Sequence, residues 1–270
     1  MNWFKDLFEL YLKASLHVSI SVWSLYKITF FYLNSPQNYC LDWLVFSSSI
    51  VAYNLIKYTP VFIQNKKNIS ASILILTFFS FLSGLFCFFY IDLLTQIFFL
   101  FSFIIVLFYS NPTFFTILNL RNYKGLKIFI VSLVWTIVTY FSLISQMNLV
   151  YDLSYITLAI QRFVFIFVLT IPFDIRDINV DMIELKTIPQ ILGIRRSKLL
   201  GILLLIFNTS IFYFISEISS IFILTEVFIN LILGFLLIIS DPRKPLNFTR
   251  FWVEGVPIIW LIIVYIFIQI

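Results

Sequence analysis

The sequence predicts an all-α, polytopic bundle of membrane-spanning helices. Three observations carry that prediction. Of the 270 residues, 61% are hydrophobic and 11% are charged, against about 25% charged in an average soluble chain. Apolar runs of roughly the 20 residues that a spanning helix needs recur from end to end. Lysine and arginine collect at alternate ends of those runs, the asymmetry that orients membrane proteins. A soluble core of this length could not hide so much apolar surface.

The elements follow in order. The opening "MNWFKDLFELYLK" puts Trp3, Phe4, Leu7, Phe8 and Tyr11 on one helical face, with Lys5, Asp6, Glu9 and Lys13 elsewhere. That pattern suits a short helix lying on the membrane surface; a frayed lead-in to the first span reads the same way. It lacks the small-residue cleavage site of a signal peptide. Nine spans are then expected, at 13–33, 41–63, 71–90, 92–110, 126–147, 154–173, 198–216, 219–240 and 255–270. The third and fourth, and the seventh and eighth, are joined by connections too short for anything but antiparallel hairpins. No repeat or low-complexity linker interrupts them, so 1–270 reads as a single transmembrane domain.

Basic residues fix the orientation. Lys5, Lys13, Lys66, Lys67, Arg121, Lys124, Lys127, Arg176, Lys186, Arg195, Arg196, Lys198, Arg243, Lys244 and Arg250 cluster at one set of span ends, while the other set carries Asp42, Asp92, Asp152 and Glu217. The expected N-terminus is cytoplasmic and the C-terminus outside. The same scatter accounts for the net charge of +5 without a nucleic-acid partner. The expected partner is the lipid bilayer, and the expected location a multi-pass position in a bacterial inner membrane. Cys40 and Cys87 have no metal-ligand spacing and form no disulfide framework.

The most polar stretch is "FDIRDINVDMIELKTIPQILGIRRSK", residues 173–198, on the cytoplasmic side. If the sixth span continues as a helix, Asp174, Asp177 and Asp181 share an arc of about 60°. Carboxylates so close repel unless a cation compensates, and a hard divalent ion such as Mg²⁺ does so through one or two carboxylates plus phosphate oxygens. A solvated acidic turn fits the spacing equally well. The basic residues that follow, Lys186, Arg195, Arg196 and Lys198, suit a phosphate, or follow from the charge bias alone.

D-x-x-D-x-x-x-D, then Lys186, Thr187, Pro189 and Gly193, resembles the second aspartate-rich motif of the UbiA superfamily of intramembrane prenyltransferases. The "FYS" at 108–110, with Tyr109, followed by Arg121 and Lys124, resembles that family's tyrosine-containing segment and basic loop. The resemblance implies nine helices around a central cavity open to the inner leaflet. It also implies two aspartate-rich motifs that hold Mg²⁺ against an isoprenyl diphosphate, whose prenyl group passes to an acceptor in the membrane. Asp174, Asp177 and Asp181 would be the metal-binding, catalytic carboxylates. Asn54, Lys57, Tyr58, Tyr109, Arg121, Lys124 and Lys186 would contact substrate.

The family's first motif is degenerate. The corresponding segment, "YNLIKYTPVF", keeps Asn54 but carries Leu55, Tyr58 and Phe62 where carboxylates belong, with Lys57 between them. Lys57 either restores some positive charge opposite the aspartates or simply reaches for the cytoplasmic interface. Elsewhere within spans, His17, Ser21 and Ser24 share a face of the first, as cavity lining or helix contact. Arg162 and Glu226 sit at similar depth, as an ion pair or a deep acceptor site. The aromatic excess serves lipid contact, or a prenyl tunnel through cation–π attraction. Two functions follow as expectations: a prenyl-diphosphate-binding transferase, or a non-enzymatic lipid-binding or structural protein that kept the fold after losing half its site. A transporter is less well supported, since paired Gly/Pro-broken helices are missing.

Overall fold

The computed structural model describes residues 3–63, 69–110, 125–149, 152–182, 185–214 and 220–269. Among them every regular element is helical. The elements are α1 (Trp3–Lys13), α2 (Leu16–Tyr32), α3 (Tyr39–Ile63), α4 (Ala71–Phe88), α5 (Leu93–Ser110), α6 (Leu126–Thr136), α7 (Ser142–Gln146), α8 (Leu153–Asp177), α9 (Ile188–Leu192), α10 (Ile194–Ser210), α11 (Ser220–Ile238) and α12 (Val256–Gln269). A π-helical turn, Ile137–Phe141, joins α6 to α7, and a second, Phe248–Val253, precedes α12.

Seven helical runs among the described residues are long and apolar enough to cross a membrane: Tyr39–Val61, Ala71–Phe88, Leu93–Ser110, Leu126–Gln146, Leu153–Asp177, Ser220–Ile238 and Phe248–Ile268. The other two expected spans fall on α2 and α10, of 17 residues each. α2 is short because Ser15 adopts a left-handed conformation, with φ of 63°, and separates it from α1. The expected start at 13 is therefore too early. α10 spends its first turns on Arg195, Arg196 and Lys198, and residues 215–219, the expected end of that span, lie outside the described set.

The chain forms two compact units. One takes the described residues up to 110 together with Ile137–Met147; the other takes 125–136 and the described residues from 148 onward. In the first unit, α3 packs on α2 and α4. Without a hydrophobic drive between helices in lipid, close approach and hydrogen bonding hold them. A Cβ on Gly84 would lie 2.8 Å from Ser47 Oγ, so glycine permits the α3–α4 contact. Asn54 of α3 donates to Thr77 of α4 at 2.7 Å. At the far end Lys27 pairs with Asp42 at 3.2 Å, and its ammonium lies 3.7 Å from the centre of the Phe30 ring. Lys27 therefore reaches a carboxylate and a π face within the protein.

In the second unit, α6 lies against α8, where Phe129 meets Phe163 and Phe167. α8 begins at Asp152, whose carboxylate accepts from the Tyr155 N–H at 2.9 Å, a standard N-cap. α10 packs on both α8 and α11. Gly201 makes that approach possible: a Cβ there would run into Leu237 and lie 3.3 Å from Ile171. The burial of Ile166, Val168, Ile171, Ile175, Ile229, Leu233 and Leu237 marks the apolar core of this unit.

Candidate functional site

The C-terminal end of α8 carries the polar cluster. Asp174, the last fully buried polar residue of the helix, is 2% exposed. The helix ends at Asp177, and Asp181 follows in a turn whose N–H bonds back to the Asp177 carbonyl at 2.8 Å. The KTxP segment then sets the geometry. Lys186 is left-handed, with φ of 45°. The Thr187 N–H donates to Gln190 Oε1 at 3.0 Å, and Pro189 sits in the first turn of α9, where a missing N–H costs nothing. The Gln190 amide donates to the carbonyls of Asp181, at 3.1 Å, and Met182, at 3.3 Å. Gly193, with φ of 79°, makes the corner into α10. The motif thus folds as a brace that fixes where Asp181 stands.

The counter-ion is Lys127, two residues before Phe129 in the first turn of α6. Its Nζ lies 3.0 Å from Asp174 Oδ1 and 3.1 Å from Asp181 Oδ2. The Lys127 side chain is 23% exposed and Asp181 16%, so the bridge spans the step from buried carboxylate to solvent. Asp177 faces another way. It accepts two bonds of 2.7 Å from Arg176 Nε and Nη2, a bidentate pair. Arg176 Nη1 donates to Thr249 Oγ1 at 2.6 Å, which ties α8 to the π-helical turn before α12.

The three carboxylates share a helix end, as expected, but they do not converge on one empty point. No group of three His, Cys, Asp or Glu side chains spaced for a metal ion occurs among the described residues. Mg²⁺ needs oxygens at about 2.0–2.1 Å in near-octahedral array. Asp174 and Asp181 here stand at ammonium distance around Lys127, and Asp177 is committed to Arg176. The residues as arranged do not fit the metal that the resemblance implies.

Lys57 belongs to the first unit. It donates to the Leu12 carbonyl at 3.1 Å and to Ser15 Oγ at 2.9 Å. Tyr58 OH donates to the Lys13 carbonyl at 2.9 Å, and Ser15 Oγ donates to Asn54 Oδ1 at 2.8 Å. Asn54, Lys57 and Tyr58 thus clamp the α1–α2 elbow: Lys57 and Tyr58 donate to carbonyls in the last turn of α1, and Asn54 accepts from Ser15 at the corner. Across the same elbow Tyr11 OH and His17 Nδ1 meet at 2.7 Å. His17 therefore makes a helix contact, one of its two expected roles.

The remaining expected contacts scatter. Tyr109 is buried near the end of α5. Arg121 and Lys124 lie outside the described residues. Lys186, Arg195 and Arg196 are exposed. Lys198 donates to the Ile238 carbonyl at 2.7 Å and so caps α11, a favourable place for a cation. Asp241 pairs with Arg243, whose hydrogen bonds hold its carboxyl down to about 2. Deeper in this unit, Glu226 accepts from Asn208 at 2.8 Å and lies within electrostatic reach of Arg162, whose guanidinium sits 5.6 Å from the Trp260 ring.

Sequence reasoning missed Lys127 because it stands 47 residues before Asp174 and looked like one more cytoplasmic charge. The signal was topological. The runs Leu126–Gln146 and Leu153–Asp177 are joined by a short connection, so their opposite ends, one starting at Lys127 and one ending near Asp174, must meet. Comparison with protein-family models, curated proteins and solved structures returns no match. Fold and composition define the class: an integral, multi-pass, all-helical membrane protein.

Proposed function

We propose that this chain is a divergent UbiA-like protein of nine spans, with a cytoplasmic N-terminus. It binds an isoprenyl diphosphate or related lipid at the cytoplasmic end and does not run metal-dependent prenyl transfer. The observation that carries the reading is the Lys127 bridge between Asp174 and Asp181. Ionising a diphosphate ester requires strong stabilisation of the leaving group by metals or fixed cations. Here Lys127 stands between two of the carboxylates that would hold metal, Arg176 pairs with the third, and the first-motif residues are occupied at the α1–α2 elbow. The lipid part of the reading rests on the resemblance of the 174–193 stretch and on the apolar spans.

The purified protein in detergent tests this. Mass spectrometry of co-purifying lipids should find an isoprenoid species. Incubation with farnesyl or geranylgeranyl diphosphate and Mg²⁺ should release no diphosphate above a heat-inactivated control. Mg²⁺-dependent release that disappears in Asp174→Asn would instead establish the second reading, an active prenyltransferase, which the order and spacing of the aspartates and KTxP favour. Recovery of ordinary phospholipids alone would leave a structural role and overturn the isoprenoid assignment.

A further inference from the structure

We infer that Lys127 occupies the cation position of the aspartate cluster, so that the protein excludes divalent metal from Asp174 and Asp181 and any ligand of this site binds without Mg²⁺. The inference rests on reading 174–193 as the counterpart of a metal-binding motif, and it goes beyond that reading by naming the residue that replaces the ion. A single ammonium contacts both carboxylates at hydrogen-bond distance. For an ion to bridge the same oxygens, each would have to close in by about 1 Å, and the ammonium would have to leave.

The surroundings oppose both movements. Asp174 is buried on α8 beside Ile171 and Ile175, both fully buried, so its carboxylate has little room to shift. Asp181 is held through its backbone by Gln190. Asp177, the third carboxylate a metal would recruit, makes a bidentate pair with Arg176, itself anchored to Thr249. A lysine supplies one charge where Mg²⁺ supplies two. One ammonium balances one of the two bridged carboxylates, and Arg176 balances Asp177. The net charge at the cluster is −1, which does not favour an anionic headgroup against the carboxylates themselves.

Mn²⁺ binding, read by electron paramagnetic resonance on the full-length protein in detergent without added lipid, tests the inference. The wild type should show no saturable Mn²⁺ binding, and Lys127→Gln should gain it once the repelling ammonium is gone. That gain should vanish in Lys127→Gln/Asp174→Asn. Saturable binding to the wild type that is lost in Asp174→Asn would overturn the inference. So would a folded Lys127→Gln that binds no Mn²⁺. If Lys127→Gln does not fold on its own, Mg²⁺ during extraction is the second readout. Recovery of folded protein only with the ion supports an exposed cation site, and equal loss with and without it overturns one. No lipid enters this assay, so its failure and the failure of lipid binding are separate results.

Discussion

Lys127 Nζ and Asp174 Oδ1 meet at 3.0 Å, joining the start of α6 to the end of α8 through a carboxylate that is all but inaccessible to solvent. A buried ion pair gains little over a well-packed apolar pair, but breaking it by removing one partner leaves an uncompensated charge.

That asymmetry gives the first prediction. Lys127→Met should destabilise the protein by about 3–5 kcal/mol. Lys127→Met/Asp174→Leu should recover more than half of that loss, with Asp181 free to turn to solvent. Thermal unfolding in detergent measures both, and a double variant no better than the single one would show that packing, not charge, holds this helix pair.

The α1–α2 elbow gives the second. Lys57→Ala removes two donated hydrogen bonds, and Tyr58→Phe removes one. At about 1 kcal/mol per bond, more where charge is involved, Lys57→Ala should loosen α1 without unfolding the spans. Hydrogen exchange should quicken across residues 3–13 and stay unchanged in α8. Equal acceleration in both would mean Lys57 supports the whole fold.

A third prediction concerns depth. Arg162 and Glu226 are both buried and carry opposite charges, and Asn208 donates to the Glu226 carboxylate at 2.8 Å. A cycle of Arg162→Met, Glu226→Gln and the double variant should show a coupling of at least about 1 kcal/mol. Additive effects would leave Trp260 as the functional partner of Arg162.

Gly201 gives the fourth. Alanine there runs into Leu237 and crowds Ile171, so Gly201→Ala should cost about 1–3 kcal/mol as α10 is pushed off α8 and α11. Gly201→Ala/Leu237→Ala makes room for the new methyl and should be less destabilised than the sum of its parts. A neutral Gly201→Ala would show that Leu237 turns aside at no cost.

Much of this protein is legible in its sequence. Apolar runs of spanning length can only be helices in a bilayer, because backbone groups have no other partners there. Composition therefore gave the helical class and, for seven runs, the position along the chain. Asp152 caps the start of α8, Pro189 sits in the first turn of α9 and Gly193 follows its end, roles of local chemistry that act within a few residues of themselves. The shared helix end of Asp174, Asp177 and Asp181 follows from the helical repeat in the same manner.

What only the tertiary structure decided is who faces whom. Helical spacing puts three carboxylates on one arc, but it cannot say whether a metal, a solvent shell or another side chain meets them. That depends on which span ends are neighbours, and α6 brings Lys127 there. Asn54, Lys57 and Tyr58 gave the opposite lesson. Their segment, a degenerate counterpart of a substrate-binding motif, left the target of Lys57 open; Ser15 turns the chain into an elbow, and the Lys57 ammonium donates to the Leu12 carbonyl and Ser15 Oγ there. The length of a lysine lets it choose among partners several ångströms apart, so its position in sequence fixes its reach and the packed neighbours fix its target.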